Sequence, residues 1–131
     1  MTDQNLPKVH LIFDLERGRL DARSFLKELA EQKKYKLEVT GVSKRYDLAP
    51  RHKEHVVIEE MKQARYGLVL VSPMAALSRN VIEEVKFAKH ANLRVMGVLM
   101  NGSTAHTHLP EGLHRHQVVG WDWAALLKMM D

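Results

Sequence analysis

Residues 66–101 (YGLVLVSPMAALSRNVIEEVKFAKHANLRVMGVLMN) constrain the fold more than any other stretch of this chain. Residues 66–71 are an uninterrupted apolar run rich in Val and Leu, the pattern of a strand covered on both faces. Ser72-Pro73 ends it, because proline has no amide hydrogen to give to a ladder. Residues 93–100 form a second such run, closed by the turn dipeptide Asn101-Gly102. A helical segment lies between them. The whole therefore reads as a βαβ crossover with parallel strands.

The helix start carries the most informative side chains. Asn80 followed three residues later by Glu83 fits a capping box, with Asn80 as the N-cap. At about 100° per residue, Val81, Val85 and Ala88 share one face, with Ile82 on one flank and Glu84 on the other. Glu83 falls nearly opposite that stripe, so it is expected to cap and face water. Glu84 is a carboxylate at the border of the buried face, just past the carboxyl end of a parallel strand, where open α/β sheets bind their ligands. The competing reading is a partly exposed glutamate that favours the helix N-terminus electrostatically.

A chain of 131 residues predicts one domain spanning residues 1–131. It has no cysteine, which excludes disulfides, thiolate catalysis and Cys-based zinc sites. The N-terminal MTDQNLPK lacks the layout of a secretory leader, and no apolar run approaches the length of a membrane span. The expectation is a cytoplasmic protein without a membrane partner. The formal net charge of +4 comes from lysines and arginines that alternate with acids. It fits an anionic ligand such as a nucleotide and equally fits simple solubility. With the basic residues dispersed and no aromatic-interleaved patch, a nucleic-acid partner is disfavoured.

The rest of the chain repeats the strand–helix alternation. Residues 9–13 predict the first strand, ending at Asp14, followed by a loop with Arg17, Gly18 and Arg19. Asp21 is expected to cap a helix over residues 22–34, with Phe25, Leu26, Leu29 and Ala30 inward. Residues 35–42 predict a second strand nearer an edge. Residues 43–51 read as a polar loop ended by Pro50, and residues 54–64 as a helix with Val57, Ile58 and Met61 inward. After the central unit, residues 117–120 predict a short fifth strand and residues 123–130 a terminal helix. This alternation argues for an α/β three-layer sandwich. Its five-stranded parallel sheet would have the flavodoxin-like order 2-1-3-4-5, with helices on both faces. In that order the first and third strands are neighbours, and the crevice between them is bordered by residues 14–19 and 72–84. Both chemically suggestive segments open onto that one place.

The run SRNVIEEVKFAKHANLRVMGVLM resembles the matching segment of TIR-like proteins, especially the short stand-alone group that includes the NAD-cleaving TIR protein of bacterial Thoeris anti-phage defence. That family shows a Trp-Val-x-x-Glu-Ile stretch, a helix, then Lys-x-Ile-x-Gly-Ile. Here the order is Asn80-Val81-Ile82-Glu83-Glu84-Val85, then Arg94-Val95-Met96-Gly97-Val98 without a gap. HQVVGWD, residues 116–122, is similar to the group's closing Val-Val-x-Trp pattern. The resemblance implies a TIR-like fold in which Glu84 is the catalytic carboxylate and NAD+ is substrate, with no resident cofactor. It further implies a homo-oligomer or TIR–TIR assembly in immune signalling. Asn80 stands where many members have tryptophan, so an aromatic platform is missing there; Trp121 is a candidate substitute. The alternative is a non-catalytic TIR-like module for self-association or nucleotide binding.

Several further residues are candidates. Asp14, Arg17 and Arg19 suit ribose and pyrophosphate, since arginine pairs bidentately with phosphate oxygens; a solvated loop explains them equally. Ser72 and Ser78 lie on the loop leading to Glu84 and suit either ligand contact or local turn bonding. The glycine-rich dinucleotide fingerprint and the P-loop are both absent, which disfavours redox use of NAD and ATP hydrolysis. Of the eight histidines, His106, His108, His114 and His116 crowd one loop, but their spacing matches no standard site and no metal is expected.

Overall fold

The computed structural model describes residues 6–130. Residues 1–5, where the N-terminal leader reading and the single-domain boundary begin, and residue 131 lie outside the described part. Five strands form one parallel sheet in the order β2-β1-β3-β4-β5. They are β1 (Lys8–Ile12), β2 (Glu38–Val42), β3 (Tyr66–Val71), β4 (Arg94–Leu99) and β5 (Val118–Gly120). The helices are α1 (Arg19–Glu31), α2 (Pro50–Met61), α3 (Arg79–His90) and α4 (Trp123–Met129). This is the expected α/β, flavodoxin-like three-layer arrangement.

Strand alternation sends side chains to two cores. Val9, Leu11, Leu68, Leu70, Met96 and Val98 point to one face, where Phe25 of α1 and Leu126 of α4 cover them. Ile12, Val69, Val71 and Val95 point to the other, where Val57 and Met61 of α2 and Val81, Val85 and Ala88 of α3 cover them. Each fully buried Val or Leu contributes roughly 1.5–3 kcal/mol relative to exposure. β3 is buried along its whole length, whereas β2, at the edge, is only half-buried. The two central apolar runs thus hold α3 against one face of the sheet, with its first turn at the carboxyl end.

Element boundaries differ from the expected ones for local reasons. α1 begins at Arg19 with Gly18 as N-cap, placing Asp21 inside its first turn instead of at the cap. It stops at Glu31 because the Gln32 side chain exchanges hydrogen bonds with the Tyr35 main chain, turning the chain before β2. Leu26 and Ala30 are exposed, so the buried face of α1 is narrower than expected and centres on Ala22 and Phe25. α2 begins at Pro50, four residues before the expected start. Proline suits a helix's first turn, where its missing amide hydrogen has no partner to lose. Ile58 is only partly buried.

Candidate functional site

The helix cap decides the geometry of the site. Ser78, not Asn80, is the N-cap of α3, and its hydroxyl accepts from the Val81 amide at 3.3 Å. The true cap lies two residues earlier, so Asn80 sits inside the first turn with its amide free for other work. Glu83 does not cap either. Its carboxylate meets Lys53 Nζ of α2 at 2.7 Å across the helix pair.

Asn80 uses every valence of its side chain. Its Nδ2 donates to Phe13 O at 2.9 Å and to Glu84 Oε2 at 2.7 Å. Its Oδ1 accepts from the Leu15 amide at 3.1 Å and from Ser78 Oγ at 3.0 Å. One side chain therefore pins the exit of β1 to the start of α3. On the other side of the same exit, the Phe13 amide donates to Ser43 Oγ at 3.0 Å, and Ser43 Oγ donates to Glu84 Oε1 at 2.6 Å. Glu84 is held at both oxygens.

Glu84 is only 6% exposed. Burial pushes its pKa up to about 7. The hydrogen bonds from Ser43 and Asn80 and the Lys53 ammonium oppose that rise, while the neighbouring Glu83 adds to it. The result is a carboxyl group that changes charge near neutral pH. A carboxyl perturbed in this way and lining a cleft is a candidate functional group.

The cleft beside Glu84 has a volume of about 680 Å³. It lies at the carboxyl end of β1, β2 and β3, beside the β1–β3 switch point. Its size suits a small-molecule site. One wall is the β1 exit with Asp14 and Arg17; another is the loop after β2 with Lys44, Arg45 and Tyr46; the third is the start of α3. Asp14 is buried and fully engaged, accepting from the Glu16 amide at 3.1 Å and pairing with Arg17 Nε at 2.9 Å. Tyr46 also lines the cleft, its hydroxyl donating to Glu60 Oε2 at 3.1 Å and the Lys44 ammonium lying 5.4 Å from its ring centroid. Burial comes first, and bonding to Glu60 second, in raising the pKa of that hydroxyl.

Of the residues singled out from the sequence, Glu84, Asp14, Arg17 and Ser78 all line this cleft. Arg19 does not; its Nε donates to Leu15 O at 2.7 Å and braces the loop from behind. Ser72 is buried at the end of β3, away from the lining, with its hydroxyl unpartnered. Trp121 stacks on Phe25 in the core of the opposite sheet face, so it does not replace an aromatic platform. Trp123 packs against Phe25 as well and donates to Glu28. Sequence reasoning missed Ser43, Tyr46 and the bonding role of Asn80. The only available signal was that residues 43–46 follow a strand whose carboxyl end borders the crevice. Among the described residues, no group of three His, Asp or Glu side chains is close enough to hold a metal ion. None of their helices is long and apolar enough to cross a membrane.

No protein-family model matches the chain, and no curated protein matches it.

Proposed function

We propose that this protein binds NAD+ in the cleft at the β1–β3 switch point and cleaves its nicotinamide–ribose bond with Glu84. One observation carries the reading: a buried carboxyl, aimed by two hydrogen bonds, lines a nucleotide-sized cleft at the exit of β1. The resemblance to TIR-like proteins supplies the choice of substrate.

The chemistry asks little beyond that group. Nicotinamide departs from a cationic pyridinium as a neutral molecule, so no general acid is required. The transition state is oxocarbenium-like, as in glycoside hydrolysis, and an adjacent carboxylate stabilises it. Each Glu84 oxygen has a second lone pair beyond the one that Ser43 or Asn80 occupies, and ribose hydroxyls can donate there. Water capturing the sugar cation yields ADP-ribose and a proton; capture by a nucleophile within the same molecule yields a cyclic ADP-ribose isomer. Arg17, Lys44 and Arg45 on the walls suit the pyrophosphate, Arg17 and Lys44 by exchanging their present carboxylate partners, Asp14 and Glu60, for phosphate oxygens. A groove of about 670 Å³ between α2 and α3 shares Leu77, Arg79 and Glu83 with the cleft, giving an extended dinucleotide room. On this reading the protein is a cytoplasmic enzyme of bacterial immune signalling, active as a homo-oligomer.

The test is chromatographic identification of products after incubating concentrated protein with NAD+. Nicotinamide should appear with ADP-ribose or a cyclic isomer. Glu84→Gln should reduce its release at least about 100-fold. Glutamine fits the site: its oxygen accepts from Asn80 Nδ2 and its amide donates to Ser43 Oγ, whose own hydrogen can turn to Leu11 O. Wild-type turnover no higher than that of the variant would move the assignment to a second reading, a non-catalytic module for nucleotide binding or self-association. The closed network through Ser43, Phe13 and Asn80 favours that reading, since it gives Glu84 a structural role without any ligand.

A further inference from the structure

We infer that Ser43 is a positioning residue for Glu84: its hydroxyl fixes the direction of the carboxylate and favours its charged form. The inference rests on the reading of Glu84 as the working carboxyl, and it extends the site to a residue 41 positions away in the chain.

The hydroxyl has one hydrogen to give, and the geometry says where it goes. The Phe13 amide donates into Ser43 Oγ at 3.0 Å, so that lone pair is occupied. Two acceptors compete for the hydroxyl hydrogen: Leu11 O at 3.5 Å and Glu84 Oε1 at 2.6 Å. The shorter contact, to a group that bears charge, is the stronger of the two. Ser43 is 4% exposed, so bulk water cannot take the hydroxyl's place. Its main chain is anchored too, the Ser43 amide donating to Leu11 O at 2.9 Å and extending the β1–β2 ladder by one bond. The next residue, Lys44, already lines the cleft. Ser43 is thus the last rigid point before the wall becomes loop, which makes it a preorganised donor rather than an adaptable one.

Other charges bear on the same carboxyl. Lys53 faces it from α2, Glu83 from α3, Lys44 and Tyr46 from the loop after β2, and Asp14 and Arg17 from the exit of β1. Replacing Ser43 removes none of these charges. A change in the Glu84 titration on that substitution therefore reports the loss of the hydroxyl, both as donor to Glu84 and as acceptor of the Phe13 amide.

The experiment follows the Glu84 side-chain carboxyl by carbon-13 NMR in the full chain across pH, with the signal assigned by its loss in Glu84→Gln. Ser43→Ala should raise the titration midpoint by about 1–2 pH units, since a hydrogen bond to the charged form is removed. Ser43→Thr, which keeps the hydroxyl, should hold the wild-type midpoint. Ser43→Cys, of similar volume and a weak donor, should shift it upward as alanine does and serves if the alanine variant does not fold. An unmoved midpoint in Ser43→Ala or Ser43→Cys, or a threonine variant that shifts as far as alanine, would overturn the inference. In the NAD+ assay, Ser43→Ala should move the pH inflection of kcat/KM upward while KM stays the same. Absence of nicotinamide release from every form, wild type included, would remove the glycohydrolase reading and leave the titration to decide the role of Ser43.

Discussion

Burial dominates the behaviour of Glu84, and burial has a sign. With its pKa raised from the ordinary carboxylate range to about 7, the folded protein holds the Glu84 proton more tightly than the unfolded chain does. Its contribution to stability is fully present below about pH 4.5, falls as pH rises, and is lost above about 7. The loss amounts to roughly 2–4 kcal/mol. Glu84→Gln carries no charge at any pH. Urea unfolding should therefore find the variant more stable than wild type at pH 8, with the difference vanishing near pH 4. On the proposed glycohydrolase reading catalysis runs the opposite way, because the carboxylate is the useful form. The pH profile of kcat/KM for nicotinamide release should rise through about pH 7, where stability has been given up. A stabilised, inactive glutamine variant is the joint signature of a carboxyl retained for function.

Among the elements, the loop from β1 into α1 depends on one glycine. A Cβ on Gly18 would lie 2.8 Å from Asp14 O and 3.0 Å from Asp14 N, and both contacts are with backbone that has nowhere to yield. The Gly18 amide also donates to Asp14 O at 2.7 Å, closing the turn that sets Asp14 and Arg17 on the cleft wall. Gly18→Ala should cost about 1–3 kcal/mol in urea unfolding and, on the proposed reading, weaken NAD+ binding measured by calorimetry, by moving this wall without touching Glu84. α3 shows how far capping rules reach. An Asn with Glu three residues on satisfies the capping-box pattern, yet Ser78 reaches the amide of Val81 first. The pattern of a cap is local, but which of two eligible side chains takes the position depends on where the preceding 3-10 turn, Ala75–Leu77, delivers the chain.

At the scale of the whole molecule, two cores on opposite faces share one sheet, and side-chain hydrogen bonds tie elements far apart in the sequence. Tyr66 makes one of them. Its hydroxyl, at the start of β3, donates to Met130 O at 2.6 Å, just past the end of α4. Tyr66→Phe leaves that carbonyl without its partner and should cost about 1–3 kcal/mol in thermal unfolding. Amide exchange should quicken in α4 and remain slow in β3 and β4, because the central strands keep their packing. The NAD+ assay should be unaffected, since α4 covers the sheet face opposite Glu84.

The sequence by itself determined the architecture. Apolar runs of strand length alternating with amphipathic segments of helix length leave a parallel sheet covered on both faces as the way to bury them. The helical period alone placed Glu84 at the edge of the buried stripe. What only the tertiary structure decided is what that carboxyl touches. Ser43 is 41 residues from Glu84, and Phe13 is 67 residues from Asn80. Hydrogen bonds of this kind leave no periodic trace, because they depend on how three strand and helix ends meet in space and not on spacing along the chain. For the same reason Arg19, two residues past Arg17, and Ser72, at the end of β3, are not part of the lining, while Tyr46, from a loop that read as merely polar, stands on its wall.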